Sequence, residues 1–204
     1  QFDSLGENCE LGLVQRHYNA EPLGLLRWTH PRPETLIDLL NSRFSGLGDD
    51  GNVEIKRPDG REYYVRDTKY GTVFHTFISH CKGDEAEFLA KQAARMRWLR
   101  DKMLADLSDG EKTFVYKFHD SKCAAHSLDL FRALLRYGPC RLLCVSLADK
   151  DNAAGSVRTD GSGLFYGYLS RLNPTAAPES KWDIPFAEWI SICRQVETQP
   201  DQSS

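Results

Sequence analysis

The chain has 204 residues, 41% of them hydrophobic and 11% aromatic, which is enough apolar side chain to bury a core and too much for a disordered segment. Its 26 basic and 29 acidic residues are well mixed and leave a formal charge of −3, without the basic excess of a nucleic-acid binder. The longest apolar runs, such as Leu142–Leu147, fall short of the ~20 residues of a membrane helix, and no basic leader precedes an apolar stretch, so neither membrane insertion nor a secretion signal is expected.

Phe2-Asp3-Ser4-Leu5 predicts a short first strand, ended by a turn at Gly6. Glu7-Asn8 leads into a helix over Cys9–Tyr18, with Asn8 as N-cap and Leu11, Val14 and Tyr18 on one face. Glu21-Pro22 breaks that helix, Leu23–Trp28 is an apolar connector, and Pro31 and Pro33 precede a second helix over Glu34–Phe44. The Gly/Asp-rich Ser45–Gly51 is a loop. Val53–Lys56 pairs with Glu62–Val65 across Arg57-Pro58-Asp59-Gly60, and Thr72–Phe77 supplies a third strand. A long amphipathic helix covers Glu85–Leu107.

The second half alternates: strand Thr113–Phe118, helix Ser121–Tyr137, strand Cys140–Leu147, a polar loop over Asp149–Gly163, strand Gly163–Leu172 and helix Ile184–Val196. In the last helix Phe186, Trp189, Ile190 and Cys193 are expected to face inward. The expected fold is α/β (or α+β), a mixed sheet flanked by helices with an inserted β-hairpin. One domain over residues 1–197 and a frayed tail over 198–204 complete the expected organisation.

Six cysteines stand at 9, 81, 123, 140, 144 and 193, none in a Cys-x-x-Cys pair. A chain this rich in core residues needs no disulfide staples, so reduced thiols and a cytoplasmic setting are expected. Cys9 has the strongest chemical case. At the first turn of a helix, unpaired N–H groups and the helix dipole favour a thiolate and can hold an oxyanion. A small buried thiol is the other reading the residues allow.

A cysteine nucleophile needs a base, and His75 within Val73-Phe74-His75-Thr76-Phe77 is the first candidate. His80 beside Cys81 is an alternative without a flanking strand. Phe118-His119-Asp120 closes a strand at its C-terminal end, where α/β proteins tend to place function. Asp120 can orient an imidazole there, or simply cap the next helix together with Ser121. Arg95, Arg97, Arg100 and Lys102 read as a solvated helix face rather than a phosphate patch, and Asp49-Asp50 as loop residues rather than ligands of a metal-dependent transferase. No metal or cofactor is expected, since neither a dinucleotide fingerprint, a P-loop nor a Gly-x-Ser-x-Gly elbow occurs.

Ser4-Leu5-Gly6-Glu7-Asn8-Cys9-Glu10-Leu11-Gly12, followed by an apolar connector and a helix ending in Phe44, resembles a bacterial family described as papain-like cysteine peptidases, a domain of unknown function that opens Leu-Gly-x-Asn-Cys. The family's histidine in a short aromatic strand is matched by Phe74-His75-Thr76-Phe77, and its long Arg-rich helix and following strand by Lys112-Thr113-Phe114-Val115-Tyr116 and the helix before it. Two departures stand out: Leu25-Leu26-Arg27-Trp28 replaces the family's Pro-Phe-Asp-Trp, and Thr76 replaces an acid next to the histidine.

The resemblance implies a papain-like fold and a thiol hydrolase or acyltransferase working on a peptide, amide or ester, with Cys9, His75 and Asp120 as catalytic residues. Asn8, Glu7 and His119 are then the oxyanion and substrate-binding candidates. It also implies a peptide or glycan-linked small substrate and association with glycosyltransferases of surface-polysaccharide synthesis. The competing expectations are a non-catalytic, substrate-binding domain of that machinery and a glycosyltransferase-like enzyme in which Cys9 only packs.

Overall fold

The computed structural model describes residues 1–7, 9–57, 62–79, 84–119, 123–173 and 183–199. Asn8, Asp120, the expected turn at Pro58-Asp59-Gly60, His80 and Cys81 lie outside the described residues. The first half runs β1 (Phe2–Ser4), α1 (Glu10–His17), α2 (Pro33–Asn41), β2 (Val53–Lys56), β3 (Tyr64–Asp67), β4 (Val73–His75) and α3 (Glu85–Asp109). The second runs β5 (Thr113–Lys117), a 3-10 turn at Cys123–His126, α4 (Ser127–Leu135), β6 (Arg141–Leu147), β7 (Val157–Thr159), β8 (Leu164–Leu169) and α5 (Phe186–Glu197).

The result is mixed α/β. β1, β5, β6 and β8 lie side by side as parallel strands, and β7 pairs antiparallel on the outer side of β8. Alternation along the strands sorts their side chains to two faces. Phe114, Tyr116, Phe118, Leu142, Cys144 and Leu164 share one core with α2, α3, α4 and the small sheet. Val115, Leu143, Val145, Phe165 and Leu169 face the other way, onto Leu11 and Val14 of α1 and Trp189, Ile192 and Val196 of α5. Lys117 shares the parity of Val115 and is buried with it.

The expected hairpin is one edge of a three-stranded antiparallel sheet, β2-β3-β4, with Lys56 opposite Tyr64 and Tyr64 opposite His75. It joins the connector through a bridge between Thr29 and Phe74 and a bond from the His75 N–H to the Trp28 carbonyl. The loop before β2 is pinned to α3. Arg97 donates to the Gly48 carbonyl and pairs with Asp50, while Arg100 donates to the Leu47 carbonyl and pairs with Asp49. Two of the basic residues expected on a solvated face thus hold a loop.

Several boundaries differ from the sequence reading for local reasons. Cys9, not Asn8, stands at the N-cap of α1, and Tyr18 is exposed rather than packed. α2 ends at Asn41 because Arg43 and Phe44 both take a left-handed φ of 54°. The helix expected from Ser121 has its α-helical part over Ser127–Leu135, after the 3-10 turn. The loop expected over Asp149–Gly163 contains β7. In α5 the buried positions are Trp189, Ile192 and Val196, whereas Cys193 is half-buried. No helix among the described residues is long and apolar enough to cross a membrane.

Candidate active site

The parallel pairing of β1 with β5 continues one residue past β1, where the Leu5 N–H bonds to the Val115 carbonyl at 2.9 Å. The chain then turns sharply. Gly6 has φ 91°, and a Cβ there would lie 2.5 Å from Pro31 Cδ, so only glycine fits both the dihedral and the space. Glu7 follows at φ 75°, a left-handed conformation that costs a non-glycine residue about 1–3 kcal/mol. Such strain is concentrated at sites where the geometry itself is needed. Cys9 ends the turn, its carbonyl accepting from the Leu13 N–H at 3.0 Å, and it is 3% exposed. Its thiol stands at the end of α1 where backbone N–H groups lack intrahelical acceptors.

Glu7 reaches across to the end of the neighbouring strand. Its Oε1 lies 2.9 Å from Nδ1 of His119, whose side chain is 49% exposed while the carboxylate is buried. Oε2 of Glu7 has no hydrogen-bond partner among the described residues. Burial pushes the Glu7 carboxyl above its ordinary range, Lys117 and His119 pull it back, and Glu10 pushes it further up. The carboxylate is thus held where ionisation is costly, with an imidazole as its hydrogen-bonding partner.

A second charged pair lies beneath. Glu10, in the first turn of α1, is fully buried, with Oε2 at 3.3 Å from Lys117 Nζ. Trp189 Nε1 donates to Glu10 Oε1 at 2.9 Å, and Asn173 Nδ2 donates to Oε2 at 3.2 Å. Lys117 Nζ also donates to the Asn173 carbonyl at 3.2 Å. Sequence reasoning missed this pair, although one signal was available: Lys117 sits at the same parity as Val115 in an otherwise apolar strand.

Of the residues expected at a site, Glu7, on the turn that carries Cys9, is brought against His119, which lies just past the end of β5. His75 lies on the small sheet, where its Nδ1 is 2.8 Å from Glu62 Oε1 and its ring stacks against Phe77. His30, not singled out in the sequence, lies near His75. Burial first, and the neighbouring His75 second, hold its imidazole below the ordinary range. Burial pushes the thiols the other way: Cys140 to about 11, Cys144 to about 12 and Cys193 to about 12. No cluster of three or more metal-ligating side chains occurs among the described residues. No known protein family, curated protein or solved structure matches this chain.

Proposed function

We propose that this chain is a thiol hydrolase or acyltransferase, papain-like in its chemistry, acting on a peptide, amide or ester. The observation that carries the reading is the 2.9 Å contact of Glu7, two residues before Cys9, with His119 at the end of the neighbouring strand. In this reading Cys9 is the nucleophile, His119 its base, and Glu7 the carboxylate that orients the imidazole and stabilises its charged form. His119 takes the thiol proton as sulfur attacks the acyl carbon, and backbone N–H groups at the start of α1 receive the developing oxyanion. The proton then passes to the departing amine or alcohol, leaving a thioester. Water or an acceptor nucleophile cleaves the thioester and restores the thiol.

The expected base was His75, with Asp120 behind it. The reading moves that role to His119 because His119 ends the strand next to β1, whereas His75 is engaged by Glu62 on the other sheet. The papain-like fold and the link to surface-polysaccharide synthesis rest on the resemblance carried by the Ser4–Gly12 segment, and the cytoplasmic setting rests on the cysteine usage.

Alkylation of the native protein by iodoacetamide near neutral pH, read cysteine by cysteine by mass spectrometry, tests the reading. Cys9 is expected to react at least about ten-fold faster than Cys140, Cys144 and Cys193. Glu7→Gln and His119→Ala should each slow it, and His75→Ala should not. Equal rates at all four thiols, or a Cys9 rate indifferent to both Glu7→Gln and His119→Ala, would overturn it.

A further inference from the structure

The end of α1 opposite Cys9 lines a second feature of different chemistry. A cleft of about 220 Å³ opens between α1, the connector after it, the end of β4 and α3. Phe77 and Trp28 meet edge to face with ring centroids 4.9 Å apart, and His75 stacks on Phe77 at 5.6 Å. Phe77 is 46% exposed and takes φ 57°, an outlier for a bulky residue. Its N–H is anchored to Glu62 Oε2 at 2.8 Å. The chain therefore holds a strained backbone that presents an aromatic ring to solvent, against the usual preference of both parts.

The cleft is also electropositive. Arg16 lies with its guanidinium 4.6 Å from the Trp28 centroid and 5.4 Å from that of Phe77, and its Nε bonds Glu21 at 2.7 Å. Arg27 is buried in the wall, donating to Glu21 and to three backbone carbonyls, yet its Nε has no acceptor among the described residues. Arg95 of α3 is exposed at the rim and has no acidic partner among the described residues. Among the described lining residues Glu21 is the one acid, and both its oxygens are already taken by Arg16 and Arg27, while Glu62 behind the lining is engaged by His75 and the Phe77 N–H. In the lining itself three guanidiniums thus face one carboxylate.

We propose that this cleft binds a small organic anion built on a single ring. The ring rests against Phe77 and Trp28, and its anionic group faces Arg16 and Arg95. The volume is below the roughly 300–1,000 Å³ of pockets for drug-sized ligands, which sets the limit of one ring with one charged substituent. Aromatic faces accept either an aromatic ring or the apolar face of a saccharide, and guanidinium donors match carboxylate or phosphate. The binding itself does not rest on the thiol reading. If that reading also holds, the cleft selects the substrate, because Cys9 caps the short helix α1 and Arg16 stands in its last turn, seven residues and about 10 Å along the axis.

Calorimetric titration of the full chain with phenyl phosphate and with glucose 1-phosphate tests this, with inorganic phosphate and, respectively, phenol or glucose as the separated halves. At least one ring phosphate is expected to bind about ten-fold more tightly than either half, and the better of the two tells aromatic from saccharide. Arg95→Gln and Phe77→Ala, both at exposed positions, should each weaken it about five- to ten-fold. Cys9→Ser should leave binding unchanged, which separates failure here from failure of the thiol reading. Inorganic phosphate binding as tightly as both ring phosphates, wild-type affinity in both cleft variants, or no saturation by either ring phosphate at millimolar concentration would overturn the proposal.

Discussion

Lys117 is a cation in a strand whose five residues are all buried, and what makes that tolerable is Glu10 across the sheet face. A buried pair of this kind contributes little net stability, but removing one partner strands the other charge. Lys117→Met should cost about 3–5 kcal/mol in urea unfolding, and Glu10→Gln/Lys117→Met should recover much of it. If the single variant is no less stable than the double, the two groups are not compensating charges. The pair also shows what residue-level reading can and cannot give. Cys9, Glu7 and His119 are all visible as chemistry-bearing residues at element ends, and Lys117 is visible as an anomaly of parity. That Glu7 meets His119, and Glu10 meets Lys117, is not visible, because it needs β1 beside β5, and no local pattern states which strands are neighbours.

At the level of elements, long periodic helices and apolar strands are readable, and the errors fall where periodicity is short or the backbone is unusual. β7 has three residues in a polar, glycine-containing stretch and two of them are exposed, so it shows no alternation. The face of α5 follows spacings of three and four through Trp189, Ile192 and Val196, which a reading based on residue type alone misplaces. The loop before β2 offers a controlled comparison. Gly48 and Gly51 have φ 76° and 86°, but a Cβ at Gly48 would lie 2.8 Å from Met96 Cβ, whereas at Gly51 it meets nothing within 4 Å. Gly51→Ala should cost only the backbone strain, about 1–3 kcal/mol. Gly48→Ala should cost clearly more, because it also forces the loop off α3. Equal denaturation midpoints for the two variants would mean that the loop yields freely there.

Across the whole molecule, buried acids set an uncommon pH dependence. Burial raises Glu7 above its ordinary 4.5 and Asp3 above its ordinary 3.8. A carboxyl raised on folding holds its proton longer in the native than in the unfolded chain, so its contribution to stability falls as pH rises from the unfolded value through the folded one. Glu7→Gln removes that term for one residue. Its stability relative to wild type should therefore increase with pH above about 4.5 and level off once Glu7 is ionised. A difference that stays constant from about pH 3 to pH 8 would show that Glu7 titrates alike in both states.

The pairing of β1 with β5 has a further consequence. Phe2 meets Thr113, so β1 docks only after a loop of roughly 110 residues has closed, the longest closure among the strand pairings. β1 is an edge strand held by three paired positions, the Leu5 bond beyond them, the Thr113 N–H to the Gln1 carbonyl, the Lys112–Asp3 ion pair and a side-chain bond from Gln15 to the Phe2 carbonyl. The turn bearing Glu7 and Cys9 is the continuation of that strand, and its imidazole comes from the strand beside it. Detachment of one short edge strand therefore dismantles the candidate site while β5, β6 and β8 keep their own pairings. The chemistry is tied to local opening at the sheet's margin rather than to melting of its core.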